Sequence, residues 1–257
     1  MRNQLFRRAW QLVAALALAA PIALAVVPNI DLLGGRSVIA PVAVTSERMY
    51  LASLAFGVIA IVFAWRPTRF LVTLIHEMGH ALTASLVGGH PLRITMAMDS
   101  SGLATTQLYN SSRFRSSAVS LSGYAAPGVA AVSGAAAIAA ENAYPWILFT
   151  GVLVAVTLLG LARSATMIGV CLLIVIGTGC MAYWIPWAAP GVAGVLVVVW
   201  ALGGVRCARE QFRWIGRGTT DSGLVQQSLG IPARLVATGQ LVLAIGLVFA
   251  AAYFVPR

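Results

Sequence analysis

Long apolar runs constrain this chain more than any other feature of its sequence. A helix needs about 20 mostly apolar residues to cross the hydrocarbon core of a bilayer. Hydrophobic residues make up 60% of the 257 positions and charged residues only 9%, whereas soluble domains are about 25% charged. We therefore predict an all-α, polytopic membrane protein of about seven or eight spans, folded as one integral membrane domain over residues 1–257. The predicted helices lie at 10–27, 49–65, 68–87, 117–140, 145–161, 165–184, 188–205 and 233–254.

The first apolar run follows a basic segment, MRNQLFRR. A basic segment, an apolar core and small residues near Ala20–Ala25 are also the pattern of a cleaved signal peptide. The run is longer than the usual signal core, so we favour a retained first span. A polar loop, Pro28–Arg48, is expected to follow it.

The basic residues of the chain are all arginines, 17 in number, and the formal net charge is +10. They lie between apolar runs, where arginines anchor cytoplasmic loops at an anionic lipid surface. The segment Arg206–Arg217 is the clearest loop of this kind. The lipid bilayer is therefore an expected partner. Nucleic acid is not, because the sequence has no basic stripe with interleaved aromatic residues.

One predicted helix does not fit the charge pattern. Arg66 and Arg69 lie at one end of helix 68–87 and Arg93 lies beyond the other, and the two ends of a full crossing cannot both be cytoplasmic. The segment His90–Tyr109 alternates β-branched and polar residues around the turn Asp99–Gly102, which predicts a β-hairpin. Either the helix is short, or the hairpin re-enters the membrane, or one end is wrongly assigned.

The stretch LIHEMGHALT places His76, Glu77 and His80 on helix 68–87. Residues at i and i+4 lie on one helix face, so two imidazoles with this spacing can bind one Zn²⁺ ion. Glu77 is offset by about 100° from His76, close enough to act as general base on a water molecule at the metal. An ionisable group inside a span costs about 2.5–3.5 kcal/mol on insertion scales, which disfavours a purely structural role. The motif indicates a zinc metallopeptidase.

A catalytic zinc site takes a third protein ligand, and the sequence offers few. The candidates are His90, Asp99, Glu141, Glu210 and Asp221. His90 follows the glycines that end the helix and is expected in a loop, while Asp99 suits the hairpin turn. The two glutamates are expected at solvated span ends. Asp221 begins a helical segment, Asp221–Leu229, where it is either a ligand or an N-cap.

Taken together, these features resemble the site-2 protease family of intramembrane zinc metallopeptidases, and most closely its short bacterial branch without a PDZ domain. The resemblance covers residues 68–235. The segments that carry it are HEMGHALTASLVGG, the hairpin through Ser100-Ser101-Gly102, Ser122-Gly123-Tyr124 and Thr220-Asp221-Ser222-Gly223-Leu224.

The resemblance implies a complete site. His76, His80 and Asp221 would hold one Zn²⁺ per chain, with Glu77 as the general base. Hairpin 90–109 would engage extended substrate by strand addition. Residues 68–235 would form the peptidase core and 1–67 the N-terminal helices of a multi-pass protein of the bacterial plasma membrane. The substrate would be a transmembrane protein, cut where its helix is locally unwound.

Two other functions are compatible with the same residues. A zinc-binding membrane protein without peptidase activity, such as a transporter or chaperone, would use the histidines for the metal alone. A scaffold with a degenerate motif would hold no stoichiometric zinc. Zinc content and the effect of Glu77→Gln on cleavage distinguish all three.

Overall fold

The computed structural model describes residues 2–27, 47–109, 112–216 and 220–254. The predicted loop Pro28–Arg48 therefore lies mostly outside the described residues, as does Arg217 in the predicted arginine-rich loop. The longer helices are α1 (Arg2–Val26), α2 (Glu47–Phe63), α3 (Trp65–Leu86), α4 (Arg113–Ala139), α5 (Ala143–Gly160), α6 (Ala165–Trp184), α7 (Ala189–Glu210) and α9 (Ala233–Tyr253). A short helix, α8 (Asp221–Leu229), and two strands, β1 (His90–Met96) and β2 (Gly102–Gln107), complete the main elements.

The prediction of a polytopic, all-α membrane protein with one hairpin is confirmed. Six of the described helices are long and apolar enough to cross a membrane, and α2 with α3 supplies a seventh if the bent pair counts as one span. A total of seven spans equals the lower end of the predicted range of seven or eight. Half of the apolar stretch of α7 is buried inside the protein, whereas only 17% of the corresponding stretch is buried in α1 and in α6. Helices α1 and α6 therefore lie at the outside of the bundle, where most of their apolar side chains can contact lipid.

The helix that does not fit the charge pattern is sharply bent away from its predecessor. The axes of α2 and α3 differ by 103° at a break next to Ala64. Pro67 explains the position of the break, because its ring would clash with the carbonyl of Phe63, four residues earlier, in a continuous helix. In α3 itself, Pro67 lies in the first turn, where a missing N–H costs little. The helix begins at Trp65, three residues before the predicted start.

The segment His76–His80 is largely buried within the helix bundle. Helix α3, which carries the motif, packs against α4, and α4 also contacts α7, α8 and α9. Helix α4 is rich in alanine, glycine and serine, and such small residues let helix backbones approach closely. This packing brings three separate parts of the chain, namely α3, α4 and the α8 segment, to one place.

The two edges of the hairpin have different neighbours. Strands β1 and β2 are antiparallel, with Ile94 opposite Ala104 and Met96 opposite Gly102. The outer edge of β1 is occupied: Ile94 N donates to Leu161 O at 2.8 Å, and Arg163 N donates to Ile94 O at 3.0 Å. The backbone groups of Ile94 therefore face away from β2. In an antiparallel pair the partner residue then faces outward as well, so the N–H and C=O of Ala104 point to the outer edge of β2, where the N–H donates to the Glu77 carboxylate.

Candidate metal centre

Three ligand-type side chains meet between α3 and α8. His76 Nε2 lies 3.1 Å from His80 Nε2 and 3.2 Å from Asp221 Oδ2, and His80 Nε2 lies 3.3 Å from the same oxygen. Ligand atoms about 2.0–2.1 Å from a tetrahedral zinc ion are separated by about 3.3 Å. The three atoms thus have the mutual spacing of three corners of a zinc tetrahedron. Their chemistry, two imidazole nitrogens and one carboxylate oxygen, also fits that metal.

The orientation of the two imidazoles is fixed by neighbouring groups. His80 Nδ1 lies 2.6 Å from the carbonyl oxygen of Val119, a geometry in which Nδ1–H donates and the lone pair of Nε2 points to the cluster. The ring of His76 packs edge-on against Tyr124, with 4.6 Å between ring centroids. Both ring contacts come from α4, so this helix positions ligands that it does not itself supply.

Gly123 makes this close approach possible. A Cβ atom at this position would lie 2.6 Å from Cε1 of His76 and would also overlap Nε2 of His80. No side chain larger than hydrogen fits between α4 and the two rings. In the sequence, only the family resemblance points to the segment Ser122–Tyr124. Neither periodicity nor composition indicates that a glycine is needed at position 123.

Asp221 occupies the first helical position of α8 and is not its N-cap. The cap is Thr220, whose side-chain oxygen accepts a hydrogen bond from Gly223 N at 3.1 Å. The N-cap alternative for Asp221 is therefore wrong, and its carboxylate is available to the two histidines. Helix α8 is held against α4 by a 2.7 Å hydrogen bond between the hydroxyls of Ser117 and Ser228. The start of α8 also favours a negative charge, because the N-terminal end of a helix is positive.

Glu77 lies beside the cluster, under the hairpin turn. Glu77 is only 5% exposed. A Cβ atom added at Gly102 would lie 2.5 Å from Oε1 of Glu77. One turn earlier on α3, Thr73 Oγ1 donates a 3.0 Å hydrogen bond to Ser100 O. Ser100 itself has a φ of +65°, in the left-handed region. The hairpin turn is thus seated directly on the part of α3 that carries Glu77.

The other third-ligand candidates lie outside the cluster. Asp99 Oδ1 accepts hydrogen bonds from Ser101 N at 2.9 Å and Ser101 Oγ at 2.6 Å, and these bonds hold the pKa of Asp99 below its usual range. Glu141 is exposed in a turn with a φ of +59°. Glu210 forms an ion pair with Arg206 at 3.5 Å.

His90 differs from its prediction as a loop residue. It is the first residue of β1 and only 6% exposed. Its ring stacks on Tyr109 with 5.3 Å between centroids and meets Phe6 edge-on at 6.4 Å. His90 is therefore part of strand β1, where its ring packs against aromatic residues at the base of the hairpin. A local sequence pattern does not show these contacts, because Phe6 and Tyr109 are distant in the chain.

A cavity of about 1250 Å³ opens next to the cluster. Its lining includes all four residues of the site, His76, Glu77, His80 and Asp221, together with residues of β2, α4 and the end of α7. Among the described residues, these two histidines and Asp221 form the single group of three ligand-type side chains close enough to hold a metal ion. The cavity exceeds the roughly 300–1,000 Å³ of a typical small-molecule pocket.

One of the comparisons with known proteins identifies a family. The family model of the Peptidase M50B-like proteins, which are the site-2 protease family, matches residues 49–251. No curated protein and no solved structure gives a significant match. The matched range runs from α2 into α9 and includes the motif on α3, the hairpin and Asp221. With the six or seven candidate spans found among its described helices, the chain is an integral, multi-pass membrane protein. It belongs to the Peptidase M50B-like family, and thus to the site-2 protease family of membrane peptidases.

Proposed function

We propose that this protein is a zinc-dependent endopeptidase that hydrolyses peptide bonds of membrane-embedded protein substrates. The observation that carries the proposal is the convergence of His76, His80 and Asp221 beside the buried carboxylate of Glu77, in one cavity. Family membership supports a peptidase in general. The spacing of the ligand atoms and the neighbouring carboxylate support the metal and the reaction type.

The proposed ligands are His76 and His80 through Nε2 and Asp221 through Oδ2, because these atoms approach one another most closely. With zinc bound, this site would supply a Lewis acid that polarises the scissile carbonyl group and lowers the pKa of a bound water molecule. The carbonyl of Val119 keeps the proton of His80 on Nδ1, which leaves Nε2 free to coordinate. We expect one ion per chain.

Glu77 is the proposed general base. Its carboxylate accepts a proton from the attacking water and returns it to the nitrogen of the leaving amine. The contact with Gly102 and the burial of the side chain restrict its movement. A base held in one position loses little entropy when the substrate arrives.

The hairpin is the proposed substrate-binding element. Gly102 and Ala104 face the cavity, and their partners Met96 and Ile94 bond instead to Ser164 and to the segment 161–163 on the far side. The backbone groups of Gly102 and the C=O of Ala104 thus point toward the cavity, where they can pair with an extended peptide, whereas the N–H of Ala104 bonds to the Glu77 carboxylate. Because strand pairing requires an unwound chain, substrates whose spans contain small or helix-breaking residues should be cut most readily.

The proposed bounds of the peptidase core and the proposed location of the protein are those that the sequence predicts. Residues 68–235 are the proposed peptidase core, and 1–67 the N-terminal helices. The proposed location is the bacterial plasma membrane, where the substrate would be another transmembrane protein.

The test uses purified wild type and Glu77→Gln in liposomes, with zinc per chain measured first. The substrate is a single-span protein that carries a helix-breaking residue. We expect one zinc ion in both proteins and cleavage by wild type alone. Cleavage that persists in Glu77→Gln contradicts the mechanism. Zinc without cleavage in either protein favours a metal-binding transporter or chaperone, and a lack of zinc favours a scaffold with a degenerate motif.

A further inference from the structure

The cavity beside the cluster is charged at one end only. At the end next to the hairpin turn, which we call the arginine end, it is lined by Arg66, Arg69 and Arg213 together with two carboxylates, Asp99 and Glu210. At the other end the lining includes Thr106, Leu108, Ser116, Ser120 and Leu224, none of which carries a charge. Such a difference in charge can orient a bound peptide.

Arg69 is the member of the arginine end most closely tied to the metal centre. It precedes His76 by seven residues, or about two helical turns, and therefore lies on the same face of α3. Its side chain is 34% exposed, and its Nε atom is buried with no hydrogen-bond partner among the described residues. The nearest carboxylate, that of Glu210, is 3.9 Å from Arg69 Nη2. The guanidinium group therefore has unused capacity to donate hydrogen bonds.

The acidic side chains near Arg69 are engaged elsewhere. Asp99 Oδ1 accepts two hydrogen bonds within its own turn, and Glu210 Oε1 lies closer to Arg206, at 3.5 Å. Arg206 in turn donates a 2.9 Å hydrogen bond to Ile61 O and packs over the ring of Trp65. The three arginines outnumber the two carboxylates, Asp99 and Glu210, so a net positive charge remains at this end of the cavity.

We propose that the arginine end binds an acidic side chain of the substrate, about three residues from the scissile bond. This inference rests on the proposed function. Seven residues of helix place Arg69 about 10 Å along α3 from His76, and an extended peptide covers that distance in about three residues. The planar guanidinium of arginine pairs well with a carboxylate through two parallel hydrogen bonds. Arg69 is then a specificity residue, which favours substrates that carry a negative side chain at a fixed distance from the metal.

Short peptides that end in a hydroxamate test the proposal, because this group binds zinc and sets the register of the peptide. One series carries the hydroxamate at the C-terminus and a second at the N-terminus. In each series a single Asp is moved from the first to the fourth residue, with Asn at the same place as the neutral match. Binding to the full-length, zinc-loaded protein in detergent is the readout, so that turnover is not required.

We expect Asp to bind about 5- to 10-fold more tightly than Asn at the third residue of one series, as for a charged hydrogen bond at a partly exposed site. Arg69→Gln should abolish this preference. Arg209→Gln removes an equal charge from an exposed residue outside the cavity lining and should retain it. Glu210→Gln frees Arg69 from its distant partner and should increase it. Where Arg69→Gln does not fold, Arg69→Lys should reduce the preference, because lysine lacks the planar fork.

Each other outcome overturns the inference in a recognisable way. Tight binding with no preference for Asp refutes it and leaves the metal centre intact. An equal loss of the Asp and Asn peptides in Arg69→Gln assigns Arg69 a structural role with Glu210. Binding that depends on anionic lipid but not on Asp assigns the arginines to the bilayer surface. If no hydroxamate binds, the proposed function fails, and this inference fails with it.

Discussion

Two buried histidines, His80 and His90, show what separates a metal ligand from a packing residue. Their exposed fractions are nearly equal, 7% and 6%. At His80, Nδ1 bonds to a backbone carbonyl and Nε2 meets His76 and Asp221. At His90, Nδ1 is buried without a partner among the described residues, and the ring lies against Tyr109 and Phe6. Burial alone therefore does not make a ligand; an oriented nitrogen and converging partners do.

The largest effect that this comparison predicts is loss of the metal. Asp221→Ala removes one of three ligands and should abolish zinc binding and activity at ordinary zinc concentrations. The matched control is Asp99→Ala, which removes the same group from the hairpin turn, outside the cluster, and should retain one zinc ion per chain. Zinc analysis of the purified proteins decides the matter. Equal zinc in both variants would remove Asp221 from the ligand set.

The next largest effect concerns the base. Glu77→Gln keeps the size of the side chain and removes its ability to take a proton, so kcat should fall by about 10²- to 10⁴-fold while zinc content stays unchanged. His90→Gln should leave kcat nearly unchanged, because His90 lies at the base of the hairpin, away from the cluster. A similar loss in both variants would show that the substitutions act through folding.

These two predictions depend on residues that the sequence and the structure reveal to different degrees. The spacing of His76, Glu77 and His80 predicts a shared helix face because helix geometry is local and periodic. The spans are likewise predictable, since the bilayer sets their length and composition. The position of Asp221 is not local: it depends on α8 packing against α4, and the N-cap alternative was wrong because Thr220 takes that role.

The same limit applies to the two glycines of the site. A glycine in a sequence indicates a turn or a close contact, but not the partner. Gly123 faces two imidazoles and Gly102 faces the Glu77 carboxylate, across separations of 43 and 25 residues from His80 and Glu77 in the chain. The packing role of His90 could not be predicted for the same reason, because its aromatic partner Phe6 lies on the distant helix α1. Contacts between distant segments decide these roles.

A smaller effect is expected where the hairpin turn presses on Glu77. Gly102→Ala introduces a Cβ that would lie 2.5 Å from Oε1 and 2.7 Å from Cγ of Glu77, so either the turn or the carboxylate must move. We expect kcat to fall by about 10- to 100-fold, the cost of a misplaced catalytic group, with zinc content and Tm nearly unchanged. Ser101→Ala, in the same exposed turn, is the control. Full activity in Gly102→Ala would show that the turn does not position the base.

The smallest effect concerns acid stability at His90. Burial and the charge of Arg7 lower the pKa of His90 below its ordinary value. The unfolded chain therefore binds more protons than the folded one at pH values below about 6.5, and stability falls as the pH decreases through that range. His90→Phe keeps a ring against Tyr109 and should flatten this part of the profile of Tm against pH. An unchanged profile would mean that His90 contributes no measurable pH dependence.

The central claim is that two histidines and one aspartate hold a single zinc ion next to Glu77. X-ray absorption at the zinc edge, on wild type with its zinc content measured, tests it most directly. We expect about one ion per chain, with two imidazole ligands and an oxygen ligand at about 2.0–2.2 Å. A sulfur ligand at about 2.3 Å, a single imidazole, or the absence of bound zinc would contradict the account.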